Sequence, residues 1–331
     1  AYGDFTAPSW STVNVDGNSF IIGSCIPGST PASACQATQP LTCIDDSLNS
    51  SAFSENWVSS RFSGNFTPAL SGSRLLLTQD VGNQSTATTL QRWFPAANNK
   101  IQIEFDHFAW RPFRLFDTQG GDGIAIVLSD ASVTPQAGSF GGSLGYAQRN
   151  NGDPGFAGGW LGIALDEYGN FSNPTEGRID GPGRRPDSVT IRGSGNGSQG
   201  YRYLASQQVS GNIDQRTSAA GPGYRYRITI DATMPGEVSV SVARRTTTNG
   251  PFVNVISSNV PNPPDQAPIP QNLMLSFTGA TGDSVNNHAI DNLQVCANQI
   301  NDIGVLVDHF ELNFPSQALT CGEQEVTVIA C

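Results

Sequence analysis

The apolar residues of this chain recur every second position, in short runs, and almost never every third or fourth. Alternation with period two puts successive side chains on opposite faces of a strand, whereas a helix buries a stripe of period 3.6. Residues 100–108 (KIQIEFDHF), 224–230 (YRYRITI), 237–242 (EVSVSV) and 272–277 (NLMLSF) follow this rule, bounded by Gly, Pro, Asn and Asp. Residues 123–128 (GIAIVL) and 161–165 (LGIAL) are nearly all apolar, as strands covered on both faces are. Many short strands with frequent turns predict an all-β sandwich or jelly roll of two antiparallel sheets.

Composition narrows the function classes. The 331 residues carry a net charge of −11 and a single lysine, Lys100. A phosphate backbone needs a basic stripe, so nucleic acid is excluded as a partner. No apolar run approaches the ~20 residues of a membrane helix, so no membrane insertion is expected. Ala1 is not followed by a basic stretch and an apolar one, and the chain is expected to be a mature form. Charged residues are only 14%, against a usual ~25%. With abundant Ser, Thr, Asn and Gly, this suits a secreted or cell-surface protein.

The six cysteines are Cys25, Cys35, Cys43, Cys296, Cys321 and Cys331. None forms a CxxC pair, and only three histidines accompany them, which argues against zinc. An even number favours disulfides in an oxidising compartment. Of fifteen possible pairings, the expected one joins Cys25 to Cys35, Cys321 to Cys331, and Cys43 to Cys296. Residues 1–45, rich in Ser, Pro and Gly, read as a disulfide-tied N-terminal extension. Residues 46–297 read as the main domain. Residues 298–331 read as two strands that begin an Ig-like module or dock on a neighbouring subunit.

The chemistry concentrates between residues 120 and 193. A GGDG run (120–123) enters an apolar strand, FGGSLGY follows at 140–146, and LGIALDEYGN spans 161–170. A buried strand delivers Asp166 to its carboxyl end, with Tyr168 and Asn170 in the loop beyond. A carboxylate, a carbonyl and an amide oxygen at i, i+2 and i+4 are hard ligands of the kind calcium prefers. The same spacing also describes an Asx turn, which needs no metal.

Taken together, these runs resemble the L-type (legume-type) lectins of the concanavalin A-like fold, over residues 50–297. LMLSFTGATG (273–282) leading to NNHAIDN (286–292) is similar to that family's last strand–loop–strand. The resemblance extends in particular to the bacterial MshQ-type proteins of mannose-sensitive haemagglutinin pilus loci, through residues 121–130, 138–148 and 164–172. It implies a jelly-roll sandwich with a short C-terminal β tail, calcium-dependent binding of glycans or polysaccharide, and no catalysis.

Carried over residue by residue, the resemblance makes Asp122 the sugar-binding aspartate, following a cis Gly121–Asp122 peptide held by bound calcium. Gly141 or Gly142 donates a backbone N–H to a sugar hydroxyl. Asn170 touches both sugar and metal. Tyr168 supplies a carbonyl to calcium and a ring to the sugar, and Asp283 and Ser284 sit in the loop that reads sugar identity. The Ca²⁺ would be held by Asp166, Tyr168 and Asn170 with Glu176 or Asp180 or both, ranked over Asn173 because a carboxylate binds calcium more strongly. Ala164 replaces the glutamate of a second, transition-metal site, so that second site is not expected.

Two rival readings remain. Glu104 and Asp106 share a strand face, as in jelly-roll glycoside hydrolases, but no third carboxylate follows to act as the acid. The strands around Leu306 also suit a structural subunit that adds to a neighbour's sheet in a homo-oligomer or filament. His107, His288 and His309 read as structural, with His288 placed to buttress the sugar loop.

Overall fold

The computed structural model describes residues 10–15, 18–23, 40–49, 52–111, 120–150, 152–215, 217–261, 266–303, 310–313 and 327–330. The chain divides into two units, residues 1–40 and 41–331. In the first, Trp10–Val15 and Asn18–Gly23 form an antiparallel hairpin.

The second unit is the predicted sandwich of two antiparallel sheets. One sheet runs, edge to edge, Tyr203–Gln208, Ser188–Arg192, Gly159–Asp166, Gly123–Asp130, Asn272–Ala280, Ser85–Leu90 and Trp57–Ser63. The other runs Val253–Asn259, Ser239–Arg245, Tyr224–Asp231, Lys100–Trp110, Asn287–Ala297, Leu75–Thr78 and Ala69–Leu70. Among the described residues there is no α-helix. Thr42–Asp46 pairs with Asn287–Ala297, so the sandwich takes strand from residue 42 onward. Asn301–Asp302 pairs with Arg92–Pro95. Farther on, Phe310–Asn313 pairs with Thr327–Ala330.

Cys43 and Cys296 are opposite each other in register and form a disulfide. It ties the first strand of the sandwich to a strand near its end. Cys25, Cys35, Cys321 and Cys331 lie outside the described residues.

The apolar runs are explained by two cores, one on each face of the first sheet. Ile124, Ile126, Leu128, Leu161, Ile163 and Leu165 pack against Ile101, Ile103, Phe105, Ile228, Val242 and Val295 of the second sheet. Fully burying each such side chain stabilises by roughly 1.5–3 kcal/mol. On the opposite face, Ala125, Val127 and Ala164 are covered by loop residues Leu144, Tyr146, Phe156, Phe171 and Tyr201. Small residues make room there: a Cβ on Gly162 would lie 2.4 Å from the Tyr146 ring. The buried hydroxyls find acceptors, Tyr146 donating to Gly193 O (2.8 Å) and Tyr201 to Phe156 O (2.9 Å). This second core fixes the loops that carry the site.

Candidate functional site

Three neighbouring strands reach one end of the sandwich together. Gly123 pairs with Asp166 on one side and with Ala280 on the other. The segments 120–122, 167–170 and 281–284 therefore emerge side by side. The Gly121–Asp122 peptide is cis, as the sequence reading expected. The protein holds this residue with its own backbone. Asp122 N–H donates to Ala280 O (3.0 Å), and the amides of Glu167 (3.0 Å) and Tyr168 (3.3 Å) donate to Asp122 O. At Gly123 only glycine fits, because φ is +143° and a Cβ would lie 2.2 Å from Leu165 O.

These segments enclose a shallow cleft of about 150 Å³. Asp122, Gly141, Gly142, Tyr168, Asn170, Asp283 and Ser284, all expected from sequence, line it together with Glu176. Asn83, Phe140, Arg149 and Gly282 complete the wall and were not anticipated. Of these, Phe140 and Gly282 lay in runs already singled out. Asn83 and Arg149 come from loops with no periodicity to mark them. Asp166 is buried beneath the cleft, and neither it nor Asp180 lines it.

Asp122 is 4% exposed, and its Oδ2 is buried with no hydrogen-bond partner. That oxygen faces the glycine wall: a Cβ built on Gly282 would lie 2.9 Å from it, and one on Gly141 4.0 Å. Burial first, and then the neighbouring Asp166, push the Asp122 carboxyl well above the ordinary aspartate range, against the pull of Arg178. Gly141, at φ +65°, donates its N–H to Thr281 O (3.2 Å). Gly142 lies against Asn170, where an added Cβ would come within 2.3 Å of the Asn170 Cβ. Arg184 stacks 4.1 Å from the Tyr168 ring centre, and Arg149 stacks 4.1 Å from that of Phe140.

The residues expected to hold calcium all have partners within the protein. Asp166 accepts from Gly169 N–H through Oδ1 and from Phe171 N–H through Oδ2, both at 2.7 Å. Both carboxylate oxygens are thus taken by loop amides three and five residues on. Burial pushes Asp166 up to about 7, while those two amides and Arg178 pull it down. Tyr168 O accepts from Arg184 Nε (2.9 Å), and Asn170 Oδ1 accepts from Asn173 Nδ2 (3.2 Å). Glu176 is paired with Arg149 (3.0 Å) and Arg178 (3.1 Å), and Asp180 with Arg202 (2.7 Å). Each of the five is thus engaged by protein N–H groups. Among the described residues no three His, Cys, Asp or Glu side chains are grouped to hold a metal.

A buried polar network backs the cleft. Asn286 Nδ2 donates to Glu167 Oε2 (2.7 Å) and Asp214 Oδ2 (3.1 Å). His288 Nε2 lies 3.1 Å from Glu167 Oε1, and its Nδ1 lies 2.6 Å from Thr78 Oγ1. His288 is therefore placed behind the loop, as the sequence reading had it. Gly120 packs directly on Asn286 and Asp214, where a Cβ would approach within 2.0 and 2.5 Å.

Glu104 and Asp106 are engaged elsewhere. Arg227 Nε donates to Glu104 Oε1 (2.6 Å), and Arg225 donates to Glu104 Oε2 (3.1 Å) and Asp106 Oδ1 (3.3 Å). Asn292 Nδ2 takes the remaining Asp106 oxygen (2.8 Å). Both carboxylates are held in structural hydrogen bonds, and neither lines the cleft.

The sandwich and its loop-covered sheet define a jelly roll of the legume-lectin type. The chain is similar to basic winged bean lectin, solved with Tn-antigen, at 15% identity and a TM-score of 0.55, over 78% of this chain and 98% of that one. It is also similar to peanut lectin, solved with a nine-residue peptide, at 14% identity and a TM-score of 0.51, over 79% and 98%. No family profile and no curated protein matches the sequence.

Proposed function

We propose that this protein binds carbohydrate, without catalysis, in the cleft around Asp122. The observation that carries the reading is Asp122 Oδ2, a buried acceptor with no partner in a cleft open to ligand. Leaving such a group unpaired is costly, and a sugar hydroxyl supplies the missing donor. Gly142 is the glycine assigned to the backbone contact, since Gly141 N–H is engaged by Thr281. Asn170 offers its Nδ2 donors, because its Oδ1 is taken by Asn173. Tyr168 presents an aromatic edge, and Asp283 and Ser284 face the ligand's variable side.

The cleft carries Asp122, Glu176 and Asp283 against Arg149. That balance favours a neutral, hydroxyl-rich sugar over an acidic one. A few hydrogen bonds and one ring give weak monovalent binding, Kd about 0.1–1 mM, roughly −4 to −5.5 kcal/mol. Adhesion would then need several copies or a multivalent surface. The extracellular setting belongs to the same reading and is supported by the Cys43–Cys296 disulfide. An MshQ-type adhesin role at the cell surface is supported only by the sequence runs.

A glycan array tests the reading. Retention of one or more neutral glycans is the expected result. A blank array, with polysaccharides and glycoproteins included, would sink it.

A further inference from the structure

Arg178 is a buried cation that does not line the cleft but contacts the loops that do, and the sequence reading had no role for it. Its side chain has no exposed surface. It donates from Nε to Asn173 O (3.2 Å) and from Nη2 to Thr175 Oγ1 (3.0 Å). From Nη1 it reaches both Ser143 Oγ and Glu176 Oε2, each at 3.1 Å. One side chain therefore binds residues 173–176 together and ties them to the turn that holds Gly142.

Calcium in such a loop would do two things. It would join separate segments through oxygen ligands, and it would pair with a loop carboxylate. Arg178 does both with the N–H fork of its guanidinium. Burial lowers its pKa, and the Glu176 carboxylate, paired at 3.1 Å, offsets part of that cost. A divalent ion added here would meet a fixed positive charge and donors already engaged.

We propose that Arg178 is the resident cation of the loops behind the cleft, and that the protein holds its binding loops and takes its sugar without calcium. The second half rests on the reading of the cleft as a sugar site.

Calcium titrated by calorimetry into chelator-treated, folded protein is the first test. The expected result is no stoichiometric heat, and a melting temperature that is the same in chelator and in millimolar calcium. One calcium bound per chain, with a rise of several degrees in Tm, would overturn the proposal. The second test compares glycan-array binding with and without chelator. Retained binding supports the proposal, and loss in chelator overturns it. An array blank in both buffers would refute the carbohydrate reading, while the calcium titration still decides the role of Arg178.

A variant separates a cation role from mere packing. Arg178→Ala is expected to melt lower and to regain part of that loss in millimolar calcium, because Glu176 and the Asn173 carbonyl would lack their cation. A variant that melts lower but is indifferent to calcium would count against the charge role. Should it fail to fold, the titration of the unaltered protein remains decisive.

Discussion

A methyl group on Gly282 would lie 2.9 Å from Asp122 Oδ2. The buried carboxylate keeps its position because residue 282 has no side chain. Gly282→Ala should push the Asp122 carboxylate aside and weaken sugar binding about ten-fold or more, about 1.4 kcal/mol. The melting temperature should stay within a few degrees, since the loop can shift outward. Titration calorimetry and thermal unfolding of the variant check both halves.

Asp122 also predicts a pH dependence. Its carboxyl is raised well above 3.8 by burial, then by Asp166. The carboxylate accepts the sugar hydroxyls, so protonation removes acceptor capacity. Affinity should fall as pH drops through that raised value, well before an ordinary exposed aspartate would titrate. Calorimetric titrations between pH 8 and pH 4 would show it. Affinity constant down to the ordinary aspartate range would contradict it.

His107 makes the fold acid-sensitive. It is buried beside His288, and neither ring nitrogen has a hydrogen-bond partner. Burial first, then His288 and Arg244, hold its pKa well below 6.5. The unfolded chain takes up a proton there at about 6.5 while the folded chain does not. This contribution to stability is therefore lost as pH falls below 6.5, by about 1.4 kcal/mol per pH unit down to the folded pKa. His107→Phe should flatten that slope without loss at pH 7.5, as read from denaturant midpoints.

The Cys43–Cys296 disulfide closes a loop with a sequence separation of 253 residues. Replacing both cysteines by serine should cost about 2–4 kcal/mol, mainly by freeing the unfolded chain. Chemical denaturation of the double variant measures it. Sugar binding at low temperature should survive, because the disulfide does not line the cleft.

Strands, sandwich and most of the cleft were legible because they rest on periodicity and on motifs. Alternation marked Lys100–Trp110 and Tyr224–Asp231, and uniform apolarity marked Gly123–Asp130 as covered twice. The reason for the double cover was not legible. Tyr146, Phe171 and Tyr201 come from loops 25 or more residues apart and meet only in the fold. Asp166 shows the limit for the site. Its position at a strand end was readable, but the same spacing serves a metal or two backbone amides, and the amides hold it. Arg178 was missed for the same reason. Nothing local distinguishes a buried loop arginine from a solvated one, since its partners Ser143 and Glu176 approach it through tertiary packing.

Titrating one glycan retained on the array into Asp122→Asn and into the unaltered protein tests the central claim most directly. Asparagine is nearly isosteric and removes one of two adjoining buried carboxylates, so the variant should fold and melt at or above the original temperature. The expected result is loss of measurable binding by the folded variant, with millimolar-range or tighter binding by the unaltered chain. Undiminished affinity in Asp122→Asn would contradict the assignment of the cleft as the sugar site.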